Sequence, residues 1–203
     1  MIQLLAERTA RYLADGDDPA DIEVIAYGYY MFYQQWLTIL AILITALVVG
    51  IFPLVLISVA VFMILRGCVG GTHATHPVIC KMSAFVFTLT PPIVSEFSSV
   101  GISLPVMAVL YLLSVALVAR YTPGETDVKK FRDPRVRKRM KIESLAWISG
   151  FFLVAAILSV RLPSVAFVIA VTAFVTTSLV HPIAYWLFGF DPETKEARRP
   201  RWQ

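Results

Sequence analysis

One stretch of the chain collects the residues able to do chemistry: Arg66-Gly-Cys-Val-Gly-Gly-Thr-His-Ala-Thr-His-Pro-Val-Ile-Cys80. It holds both cysteines and two of the three histidines of a 203-residue chain. It is short and polar, and it joins two apolar runs. Ionisable groups at membrane depth are costly, so such a cluster points to function. Pro77 suits the first position of a helix, which puts Cys80 in that helix's first turn beside Lys81. A helix N-terminus and a nearby cation both favour thiolate over thiol, and the thiolate is the nucleophile. His73 lies seven residues earlier. A continuous helix would hold the two about 10.5 Å apart along its axis. A turn at the Pro77 break can instead fold His73 back to hydrogen-bonding distance, giving a nucleophile and a general base. Gly70 and Gly71 allow positive φ and a close backbone approach to a substrate. N–H groups at the helix start can hold an oxyanion. Arg66 can pair with a substrate carboxylate or hold the loop.

Blander readings compete with this one. A cysteine in a membrane helix is commonly a small apolar filler, and a loop histidine is commonly just solvated. By spacing alone, His-x6-Cys is a weak signal. Cys68, His73, His76 and Cys80 also form a Cys2His2 set suited to tetrahedral zinc. That spacing is tighter than the usual zinc-finger pattern, and no separate hairpin presents the ligands. Zinc therefore ranks below the thiol, and neither a metal nor a cofactor is expected. His181, before Pro182, reads as a packed or hydrogen-bonded helix residue. Glu96 reads as a solvated residue of an outer loop.

The elements that must position this stretch are membrane helices. Hydrophobic residues make up 58% of the chain, charged residues 16%, and mean hydropathy is +0.72. Soluble domains carry about 25% charged residues, and a soluble fold this short could not hide so much apolar side chain. Disorder, a fibrous repeat and a disulfide scaffold are excluded as well. Residues 1–35 carry two arginines against six acidic residues, while residues 120–143 carry nine Lys or Arg against four Asp or Glu. A basic block beside membrane spans sets topology more often than it binds nucleic acid. No signal peptide and no 20–50-residue repeat is read.

Residues 2–14 place Ile2, Leu5, Tyr12 and Leu13 near one helical face, and Asp15-Gly16 ends that helix. Asp18 as N-cap and Pro19 start another, with apolar residues at 3–4-residue spacing up to Trp36. We read this region as an anchor at the membrane surface ahead of an alternative reading, a platform for an amphipathic partner. Residues 36–65 carry no charge; as one helix they would span about 45 Å against a hydrocarbon core of about 30 Å. Gly50-Ile-Phe-Pro53 breaks them into two spans, the second short. Further spans are expected at 78–94, closed by Pro91-Pro92, then at 104–119, 145–160 and 165–188. The fold class is all-α: a polytopic integral membrane protein of about six transmembrane helices with an N-terminal amphipathic helical region. Its single membrane-embedded domain, 1–203, divides into the amphipathic region 1–35, spans one to four at 36–119, a basic cytoplasmic loop 120–143, spans five and six at 144–188, and a basic tail 189–203. The positive-inside rule then puts the basic loop, both termini and segment 66–80 on the cytoplasmic side.

The pattern Arg66-x4-Gly71-x-His73-x6-Cys80, with its double glycine, resembles the accessory gene regulator B (AgrB) family of bacterial membrane peptidases. Glu23-x3-Tyr27-Gly28 is similar to that family's N-terminal region, and Tyr121-Thr-Pro123 before a basic stretch is similar too. Cys68 and His76 lie outside the family pattern. The resemblance implies a cysteine endopeptidase of the bacterial cell membrane, with Cys80 and His73 catalytic and Arg66 and Gly71 needed for activity. The implied substrate is an AgrD-like propeptide with an amphipathic helix and an acidic C-terminal part. That part is cut off, leaving an acyl-thioester that an internal Cys or Ser converts to a thiolactone or lactone, the precursor of a quorum-sensing autoinducing peptide. The basic stretch, with Lys129, Lys130 and Arg132, can attract the acidic tail besides setting topology. Membrane lipid and a second copy of the chain are further implied partners; nucleic acid is not. A reading from another class is a non-enzymatic small transporter or export subunit in which 66–80 is a polar or zinc-holding loop.

Overall fold

A computed structural model describes residues 2–13, 19–70, 77–98, 101–124 and 133–187. In chain order the helices are α1 (Ile2–Leu13), α2 (Pro19–Val49), α3 (Phe52–Val69), α4 (Pro77–Ser98), α5 (Leu104–Tyr121), α6 (Pro134–Leu158), α7 (Pro163–Ser178) and α8 (Pro182–Leu187). Five of them, α2 to α6, are long and apolar enough to cross a membrane, and α7 is a shorter apolar helix. Among the described residues the only strand-like pairing is an isolated bridge. The protein is an all-α polytopic membrane protein. The chain divides after Val49 into two compact units.

The first unit is α1 and α2. Thr9 sits on the α1 face that meets α2, its hydroxyl 3.0 Å from the Tyr33 hydroxyl. Ala6 and Ala10 are buried beside it, while Leu4, Leu5, Tyr12 and Leu13 are exposed. Small side chains on one face let two helices approach closely. α2 is a single helix of 31 residues, about 46 Å long. The amphipathic region and the first span, expected to part near residue 35, are therefore continuous. No proline interrupts α2 after Pro19, and its one glycine, Gly28, costs only about 1 kcal/mol. Ring contacts Tyr29–Tyr33, Phe32–Tyr33 and Phe32–Trp36, at 5.9–6.1 Å, carry the helix through the aromatic stretch. Residues 14–18, where the turn before α2 was expected, lie outside the described residues.

Gly50 ends α2 with φ of +81°, a conformation that glycine adopts without a Cβ penalty. Pro53 then stands at the start of α3.

In the second unit α7 is the hub, packed against α3, α4, α5 and α6. Ala166, Val168, Ile169, Ala170, Thr172, Ala173, Thr176 and Thr177 of α7 are buried. A helix apolar all round is a buried one. Hydroxyls stitch it in place: Ser58 of α3 lies 3.1 Å from Thr172, and Thr177 donates to Ser114 of α5 at 3.2 Å. Such bonds between membrane helices are worth about 0.6 kcal/mol each. The outer faces carry exposed Leu112, Leu153 and Ile157, suited to lipid.

Three expectations are corrected here. Pro91-Pro92 does not close the third span: α4 continues to Ser98 with both prolines inside it and buried. Packing against α3 and α7 holds the helix across the lost hydrogen bonds, which membrane helices tolerate when neighbours re-satisfy the backbone. Glu96 accordingly lies in the last turn of α4, exposed, rather than in a loop. The last span, expected at 165–188, ends at Ser178. There Leu179 and Val180 donate back to Thr176 and Thr177 in tighter i→i+3 bonds. Pro182 then disfavours helical geometry at His181 and restarts the chain as α8. The basic stretch is helical in part: from Pro134 onward it forms the first turns of α6. Asp133 caps that helix by accepting from Arg135 N at 2.8 Å.

Candidate active site

One end of the second unit gathers the groups with chemistry. Arg66 lies in the last turn of α3, and its Nη1 donates to the Gly70 carbonyl at 3.1 Å. α4 opens at Pro77, so Cys80 occupies its first turn, where its carbonyl accepts from the Ser83 hydroxyl at 2.8 Å. The end of α3 and the start of α4 thus place the guanidinium and the thiol on either side of one junction. Neither cysteine is in a disulfide, and both are half-buried.

Gly70 terminates α3 with φ of +75°. The chain leaving α5 lies directly against it: Gly124 N donates to Val69 O at 3.0 Å, and Gly70 pairs with Gly124 as a parallel bridge. A Cβ on Gly70 would stand 2.7 Å from Gly124 O, a distance that real Cβ atoms do not reach. Sequence reasoning assigned the freedom of Gly70 to substrate approach. In the structure the backbone that approaches is the protein's own.

Two more groups at this end were not singled out from the sequence as site residues. His181 Nδ1 accepts from Ile183 N at 3.3 Å, capping α8, and its ring meets Tyr121 edge-on at 5.3 Å. Tyr185, on the helix so capped, is buried. The Pro123-Gly124 dipeptide is a turn signal and marks the loop at Gly124. Gly71, His73, His76, Lys129, Lys130 and Arg132 lie outside the described residues. Among the described residues no three His, Cys, Asp or Glu side chains form a metal-sized cluster.

A helical membrane protein with a thiol and a guanidinium gathered at one end of its bundle is the class that fold and site define. The sequence profile of the family Accessory gene regulator B matches residues 6–183, and the chain belongs to that family. It is 28% identical over 165 residues to AgrB-like protein 2 of Clostridium perfringens (strain 13 / Type A), covering 79% of this chain and 76% of that one. A second AgrB-like protein, from Clostridium perfringens (strain SM101 / Type A), is 27% identical over 145 residues, covering 69% of this chain and 67% of its own length. Both relatives carry that designation provisionally. No solved structure matches significantly. Membership places the protein in the accessory gene regulator system.

Proposed function

We propose that the protein is a cysteine endopeptidase that cleaves the C-terminal part from an AgrD-like propeptide and prepares the remainder for cyclisation. The observations that carry this reading are the family match over residues 6–183 and the place of Cys80 in the first turn of α4, one junction away from Arg66 in the last turn of α3. The Cys80 Sγ attacks the scissile carbonyl while His73 takes the thiol proton. The C–N bond breaks, His73 returns the proton to the leaving amine, and the retained peptide is left as a thioester on Cys80. An internal Cys or Ser of the peptide attacks that thioester, closes a thiolactone or lactone, and frees the Cys80 thiol. No nucleotide is needed, because the thioester keeps the acyl-transfer potential of the cleaved bond.

This chemistry sits on the cytoplasmic face of the membrane, with both termini on the same side. Support comes from α6, whose first turns carry Arg135, Arg137, Lys138, Arg139 and Lys141, all expected to stay inside. α6 packs against α3, the helix whose last turn carries Arg66 and Cys68. Lys129, Lys130 and Arg132 draw the acidic tail of the propeptide towards this end.

The test is co-expression with a candidate propeptide followed by mass spectrometry of membranes. Wild-type protein releases the C-terminal fragment and carries a hydroxylamine-labile peptide on Cys80. Release of the fragment by a Cys80→Ser protein would overturn the reading. For topology, cysteines placed at Lys130 and Arg199 resist an impermeant maleimide in intact cells while one at Ser99 reacts. Labelling at Lys130 from outside would overturn the orientation.

A further inference from the structure

Residues 121–124 remain without a role in the chemistry above, yet they touch the site by backbone. We propose that this short segment is the positioning element of the thiol site: by pairing with Gly70 it fixes the carbonyl that holds Arg66, and so it holds the guanidinium beside Cys80. The inference rests on the thiol reading of Cys80 and adds residues that reading does not name.

Four observations converge on it. The Gly124 N–H bonds Val69 O at 3.0 Å, which ties the segment to the last residue of α3. The Gly70–Gly124 approach leaves no room for a Cβ, so the two backbones are in direct contact. Gly70 O is also the acceptor for Arg66 Nη1, so moving Gly70 moves the atom that orients the guanidinium. Finally, the segment is itself anchored. Thr122 and Pro123 are buried, Thr122 N bonds Val118 O at 3.1 Å, and Tyr121 lies against His181, the cap of the helix that carries Tyr185. A long, flexible arginine loses rotamer freedom when held. The backbone around it must be stiff for the charge to stay in place. The 69–70 and 121–124 segments supply that stiffness from two helices far apart in sequence.

The role predicted is electrostatic, so its test reads the local potential without any substrate. In full-length protein carrying Cys68→Ser, Cys80 is modified in membranes by an anionic and by a cationic methanethiosulfonate. The ratio of the two rates reports the charge next to the sulfur, and the thiolate fraction cancels from it. A guanidinium held close favours the anionic reagent, and Arg66→Gln should lower the ratio about fivefold or more. Gly70→Ala, which puts a Cβ against Gly124 O, should lower it to the Arg66→Gln level. Inserting one glycine between Pro123 and Gly124 should do the same from the other side, without adding a side chain. Either change made on top of Arg66→Gln should cause no further fall, because both act through the same guanidinium. A wild-type ratio in both junction variants would overturn the proposal. So would loss of inserted protein in both, since the junction would then serve folding rather than positioning. Failure of the peptidase reading is seen separately, as fragment release by Cys80→Ser protein, and leaves the reagent ratio readable.

Discussion

Cys68 and Cys80 lie on either side of one junction, and the two regions around them are built differently. Cys68 closes α3, one residue before Val69. Cys80 opens α4, and across the junction α3 carries Arg66 in its last turn. One thiol sits at a helix C-terminus, the other at a helix N-terminus. The N-terminal end of a helix favours negative charge and the C-terminal end disfavours it. Two cysteines twelve residues apart are thus unequal candidates for a nucleophile, and local structure makes them so.

The sharpest way to break this contrast is to exchange each sulfur for oxygen. Cys80→Ser should lower propeptide cleavage about a thousandfold or more, the scale of losing a nucleophile, because a hydroxyl needs a much stronger base. Cys68→Ser should stay within about threefold of wild type, since no step uses that sulfur. If the two substitutions are equally damaging and metal analysis finds one zinc per chain, both cysteines are ligands and the contrast collapses.

A smaller but still large effect tests the cation. Arg66→Lys keeps the charge and loses the fixed planar fork that reaches Gly70 O. Cleavage should fall about tenfold or more, with most of the loss in kcat, and Arg66→Gln should fall further. An unchanged rate in Arg66→Gln would leave Cys80 no better placed than Cys68.

The histidines sharpen the picture on the nucleophile's side. His73→Ala should abolish cleavage while the protein still inserts into membranes. His76→Ala should cost only a few-fold in cleavage, because a residue directly before Pro77 suits helix entry more than proton transfer. Equal losses would point to shared ligation rather than to a base.

The smallest effect is expected far from both cysteines. Thr172→Val removes the hydroxyl that meets Ser58 in the buried seam between α3 and α7. The loss should be about 0.6 kcal/mol of stability, read as a modest drop in thermal stability in detergent, with cleavage by the remaining folded protein unchanged. A loss of activity comparable with Arg66→Lys would mean that the seam, not the junction, governs the site.

The breaks between helices were legible because their causes are local. Gly50 and Pro77 act on their own and neighbouring φ angles, whatever surrounds them, and α2 ends before the first while α4 begins at the second. The apolar runs likewise announced membrane helices, since an uninterrupted apolar run of span length satisfies its backbone within the membrane as a helix. Where tertiary packing competes with a local signal, the reading from sequence failed. Pro91-Pro92 looks like a helix end and is not, because α4 packs against α3 and α7. Residues 165–188 look like one uniform span, but the hydropathy of α7 is the same whether its neighbours are lipid or protein.

The site divides along the same line. Residue types and spacing drew attention to segment 66–80 as a whole, and the family resemblance set Arg66, Gly71, His73 and Cys80 apart from Cys68 and His76 within it. The meetings of Gly70 with Gly124 and of Tyr121 with His181 join positions more than fifty residues apart. Such contacts leave no periodic trace in a sequence, because they depend on how α3, α5 and the chain after α7 end together. Only the packed bundle decides which ends coincide.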